Sequence, residues 1–210
     1  MKPLAGCHVF LSASFPSGER GREVEPYDAS AVADAVTAIV RAVLLRGGKI
    51  VFGGHPTITP LVLMIGKELG VRNAVDIFQS RWFQAHMTQE TQMLAELEVG
   101  TIHWTRERAS LEDSLAEMRT KMLNHAALAG AIFVGGMSGI WQEYDLVGNI
   151  CPGVPRIPVA GPGGAAARLP RDGGDVPQKL RPHVSSRRYP FVATQIANML
   201  VASDHPAAEK

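Results

Sequence analysis

No apolar run in these 210 residues approaches the roughly 18 that a membrane-spanning helix needs. Cysteine is nearly absent: Cys7 and Cys151 are too few for a disulfide framework, and Cys7 falls in a predicted strand, so a reducing, cytoplasmic setting is expected. An excess of one sign of charge is missing too. With 21 Lys and Arg against 20 Asp and Glu the formal net charge is +1, which removes the electrostatic case for a dedicated nucleic-acid or membrane-surface binder. No internal repeat is visible. No metal-ligand cluster stands out, so no metal and no cofactor are expected.

What is present suffices for one sizeable core: 46% of residues are hydrophobic and 20% charged. The chain reads as a single domain over 1–202 with a polar tail at 203–210. Short apolar runs alternate with helical patterns along it. Strands are expected at Cys7–Ser12, Lys49–Phe52, Ala74–Gln79, Thr101–Thr105, Ala131–Val134 and Arg156–Ala160. Between them, Val32, Val36, Ile39, Val40 and Val43 recur at helical spacing and stop at Gly47-Gly48, and further helices are expected at Leu61–Leu69, Trp82–Glu98 and Leu111–Leu128. Glu19–Pro26 reads as a charged loop. Ser110 with Asp113 forms a capping box, and a last helix runs from Pro190 to Val201. Strands alternating with helices define an α/β fold, a doubly wound, mostly parallel Rossmann-like sheet with helices on both faces. Residues 162–188 differ in character, being rich in Gly and Pro, with six Arg or Lys (168, 171, 179, 181, 187, 188) against Asp172 and Asp175. They read as a surface excursion for the most part, or as a flap carrying positive charge toward a bound phosphate.

Two junctions carry chemistry. After the strand Ala131–Val134 come Gly135-Gly136-Met137-Ser138-Gly139, then Ile140, Tyr144 and Val147 at helical spacing. A glycine pair leading into a helix N-terminus presents backbone N–H groups to an anion, with Ser138 as helix cap and Glu143 as the neighbouring carboxylate. After the strand Lys49–Phe52 come Gly53-Gly54-His55-Pro56-Thr57, a second strand, glycine pair and helix, this time tipped with hydroxyls and a histidine. The first strand opens into Ser12-Ala13-Ser14. In a parallel sheet the loops after the strands converge on one edge, so Ser12, Ser14, Gly53, Gly54, Gly135 and Gly136 are expected to line one phosphate-holding pocket. A bulky residue at Gly136 is expected to abolish binding while leaving the fold intact. Arg119 lies beside the apolar stripe Leu115, Met118, Met122 and Leu123.

The order of strand, glycine pair, glycine and glutamate after an arginine-bearing helix resembles the Lonely Guy (LOG) proteins, often labelled "possible lysine decarboxylase", and the wider SLOG superfamily. Their signature is PGGxGTxxE behind an MHERK-type helix. Here Met118-Arg119-Thr120-Lys121 stands for that helix and Glu143 for the motif's glutamate. Val134 replaces the proline, Met137-Ser138 lengthens the turn by one residue, Ile140 replaces the threonine, and the histidine and glutamate of MHERK are missing. Leu11-Ser12-Ala13-Ser14 and the run from Val51 to Leu61 look like a SLOG branch associated with bacterial nucleotide sensing, including ADP-ribose-type sensors of antiphage systems. The resemblance implies a nucleotide-type small molecule as partner and a homo-oligomer. It leaves two functions open. One is a sensor that binds a nucleotide or ADP-ribose derivative. The other is a phosphoribohydrolase that cleaves the N-glycosidic bond of a nucleoside 5′-monophosphate, with Arg119 and Glu143 as catalytic pair. The lengthened turn favours the sensor.

Overall fold

Six apolar runs pair into one parallel sheet in the order β4-β3-β2-β1-β5-β6. The computed structural model describes residues 4–86, 92, 98–170 and 175–202. The strands are β1 (His8–Ser14), β2 (Lys49–Gly53), β3 (Val75–Ser80), β4 (Gly100–Thr105), β5 (Leu128–Gly135) and β6 (Arg156–Val159). All five pairings are parallel, so every strand ends at the same edge. β5 reads LAGAIFVG and is buried at every position, as a strand covered on both faces must be.

The helices are α1 (Gly18–Arg22), α2 (Ala29–Leu44), α3 (Ile58–Glu68), α4 (Leu111–Leu123), α5 (Ser138–Ile150) and α6 (Tyr189–Ala202). Asp28 caps α2 by accepting from the Ala31 N–H. Ser110 caps α4, its hydroxyl accepting from the Asp113 N–H and donating to the Asp113 carboxylate, so the cap half of the expected capping box forms. Val36 of α2, Val62 of α3 and Ile196 of α6 share one core against the sheet, while Met122 of α4 and Val147 of α5 share another. Helices therefore cover both faces, and the doubly wound α/β fold expected from the sequence is the one observed. Among the described residues no helix is long and apolar enough to cross a membrane.

Several boundaries differ from the sequence reading. α1 forms inside the charged stretch read as a loop. α3 begins at Ile58, because Pro60 is its third residue and proline is tolerated in a first turn. α4 ends at Leu123, since Leu128 already belongs to β5. Of the predicted helix Trp82–Glu98, the start is a 3-10 turn, Arg81–His86; most of the remainder, with the predicted tail at 203–210, lies outside the described residues.

Residues 162–188 are not a surface excursion where described. Ala165, Ala166, Val176, Leu180 and Val184 are buried, and Arg168, Arg181 and Arg187 donate to the carbonyls of Glu25, Val176 and Gly161. Asp175 anchors the segment: it pairs with Arg156 at 2.7 Å and accepts from the Tyr144 hydroxyl at 3.0 Å. Arg156 in turn lies 4.1 Å from the Tyr144 ring centroid. Burial, with the Asp175 bond second, pushes the Tyr144 phenol up to about 12.

Candidate functional site

The strand order reverses between β1 and β5, which makes the carboxyl end of that pair the switch point where parallel sheets leave a crevice. A cavity of about 490 Å³ opens there, within the range of nucleotide-sized pockets. Ser12, Ser14, Gly53, Gly54 and His55 line it from the ends of β1 and β2; Arg119 comes from α4, and Met137, Gly139 and Glu143 from the start of α5.

Glu143 sits in the second turn of α5, so its carboxylate points back over the end of β1. One oxygen accepts from the Ser12 hydroxyl at 2.5 Å. The other accepts from Arg119 Nε at 3.2 Å, with both side chains about 15% exposed. Arg119 also donates through Nη1 to Gln142 at 2.9 Å. Gly139 is what lets the guanidinium lie across the first turn of α5: a Cβ there would sit 3.3 Å from Arg119 Nη2. The position of Arg119 beside the apolar stripe of α4 does not reveal this pairing, because it is made across helices.

One amide of each glycine pair is already bonded inside the sheet. Gly54 donates its N–H to the Phe78 carbonyl and Gly136 donates to the Ser14 carbonyl, so neither amide faces the cavity. Gly135 and Gly136 adopt φ of +59° and +71°, and a Cβ on Gly136 would stand 2.1 Å from Ile140 Cγ1. They are packing glycines behind the wall. A bulky residue at Gly136 is therefore expected to destabilise the fold as well as any site, where the sequence reading expects the fold to stay intact. Ser138 does not cap α5: Met137 holds the cap position and makes no side-chain cap bond. The first amides of the helix, those of Ser138 and Gly139, precede any intrahelical acceptor, and Gly139 lines the cavity.

His55 and Thr59 brace each other, the His55 N–H donating to Thr59 Oγ1 and the Thr59 N–H to the His55 carbonyl. Thr57 is exposed, outside the wall. Its N–H donates to His55 Nδ1 and its hydroxyl lies 2.9 Å from the same atom, which leaves the neutral ring's proton on Nε2. Burial holds the His55 imidazole below its ordinary pKa.

Several contributors escaped the sequence reading of the pocket. Arg20 of α1 adds a second cation to the rim, Gln79 packs against Gly54, and Phe83, Ile102, Leu111, Leu115 and Met118 add apolar lining. The only signal for Arg20 was a basic residue soon after a strand end.

Fold and cleft together define a Rossmann-like protein with a mixed polar and apolar pocket at its switch point. The chain belongs to the SLOG cluster3 family, whose model matches residues 24–189. That membership supports a nucleotide-related ligand-binding role or a LOG-like one. The match begins after β1, so Ser12 and Ser14 lie outside it. No curated protein matches the chain.

Proposed function

We propose that the cleft binds a nucleotide or an ADP-ribose-type ligand and that the protein acts as a sensor, within the homo-oligomer that the LOG resemblance implies. The observation that carries the nucleotide reading is the mixed lining of the cavity. Arg20 and Arg119 supply positive charge suited to phosphate, and Phe83, Ile102, Leu111, Leu115 and Met118 supply apolar surface suited to a base. Glu143 favours a sensor over a hydrolase. Each of its carboxylate oxygens already accepts a hydrogen bond, from Ser12 and from Arg119, which supports a role for Glu143 in holding the wall of a binding pocket.

The second reading keeps the same pocket. A carboxylate beside a guanidinium on a cavity wall is the arrangement a phosphoribohydrolase uses: water adds its hydroxyl to C1′ of the ribose 5-phosphate, and the base leaves with the proton. Glu143→Gln separates the two. Glutamine can still accept from Arg119 and donate to Ser12, so geometry survives while the charge is lost. Thermal-shift and native mass spectrometry against AMP, ADP-ribose, cyclic ADP-ribose isomers and NAD, with chromatography for released base, is the measurement. The sensor reading expects binding without turnover and a changed affinity in Glu143→Gln. Free base released by the parent, falling about a hundredfold or more in the variant with binding little changed, would establish the hydrolase instead.

A further inference from the structure

A second constellation lies away from the cleft, on the face of the sheet that α4 covers. Asp76 of β3 presents its carboxylate, 13% exposed, to three imidazoles from three other parts of the chain. His103 Nε2 of β4 is 2.7 Å from Oδ1, and His125 Nε2, just past α4, is 3.5 Å from the same oxygen. His8 Nε2 of β1 is 3.9 Å from Oδ2. The ligand atoms of Asp76, His103 and His125 all lie within 4.8 Å of one another. Phe78 fixes the rings: it stacks on His103 at 4.7 Å and meets His125 edge-on at 5.2 Å, while His103 and His125 are 4.6 Å apart.

Hydrogen bonding explains one of these contacts. The His103 distance is that of a good bond, but 3.5 and 3.9 Å are too long, so His125 and His8 aim a ring nitrogen at the carboxylate without bonding it. A small ion between Asp76, His103 and His125 would give all three a reason to converge. Tetrahedral zinc takes nitrogen and oxygen donors at about 2.0–2.2 Å, which sets the donors roughly 3.3 Å apart, and the 2.7 and 3.5 Å separations lie on either side of that spacing. Imidazole donors with one carboxylate select the zinc class over magnesium or calcium, which take oxygen.

We propose that Asp76, His103 and His125 bind a zinc-class divalent ion. The sequence expectation of no metal had nothing to warn it: the three residues stand at 76, 103 and 125, with no ligand spacing, and only strand pairing and the end of α4 assemble them.

The test uses the tag-free full chain, stripped with chelator and titrated with cobalt(II), following visible ligand-field absorption, zinc displacement and elemental stoichiometry. One equivalent of cobalt in a tetrahedral-type spectrum, displaced by zinc, is expected. Asp76→Asn and His125→Ala should each weaken binding about a hundredfold, whereas His183→Ala, whose ring packs on Phe191 elsewhere, should bind as the parent does. A zinc-dependent rise in melting temperature should be lost in His125→Ala. That residue lies outside the helices and strands, so this variant decides the matter if Asp76→Asn fails to fold. No saturable single equivalent, or parent-like cobalt binding by folded His125→Ala, would overturn the site.

Discussion

Gly136 shows how one hydrogen in place of a methyl shapes the pocket wall. Its amide bonds Ser14 and its carbonyl accepts from Ala165, so it joins β1, β5 and the segment after β6 at one point. Valine there must adopt a φ near +71° and enter the space of Ile140. Positive φ and overpacking together are expected to cost about 3 kcal/mol or more, read as a lower urea midpoint with unchanged m. Adding Ile140→Ala should recover part of that loss, whereas an additive double variant would show that the clash is not with Ile140. Glu143 and Arg119 could be singled out in the sequence because a motif names them. Gln79 and Arg20 could not, since each reaches the cavity by folding rather than by its place in a pattern.

At the level of elements, the strands were legible because runs such as Ala131–Val134 are continuously apolar and end in glycine, a pattern with few alternative readings. Helix ends were less so: Leu128 continues the apolar rhythm of α4 and yet opens β5, and periodicity cannot tell a helix face from a buried strand over a few residues. Residues 162–188 misled through composition. Their glycines, prolines and charges outnumber the few apolar anchors, Val176, Leu180 and Val184, that pin the segment down. The Asp175 anchor gives that segment an acid sensitivity. The hydrogen bond from Arg156, with that from Tyr144, holds the Asp175 carboxyl below its usual range despite burial. A depressed carboxylate contributes stability that is complete above the unfolded value near 4 and is lost as pH falls through the folded value. Asp175→Asn should therefore be less stable than the parent at pH 7. The difference should shrink toward zero as pH drops below about 4, measured by urea unfolding across that range; a difference constant with pH would remove Asp175 from the ledger.

Across the whole molecule, the first strand made is the one at the centre. β1 pairs β2 on one side and β5 on the other, and the Ser12–Glu143 bond of the cleft joins positions 131 residues apart. Contacts of that separation form slowly, because the closure entropy is spent before they reward it. On the ribosome, a chain that has emerged only through β4 carries β1 with one edge unpaired and with no α5 to cover it. Protease resistance of stalled nascent chains should therefore stay low until β5 and α5 have cleared the exit tunnel, and then rise in a single step. Gradual protection, beginning as soon as β2 appears, would show that the first half folds unaided. By this argument the cleft is among the last features the growing polypeptide completes, and until then the hydroxyls of Ser12 and Ser14 wait at the open border of an unfinished sheet.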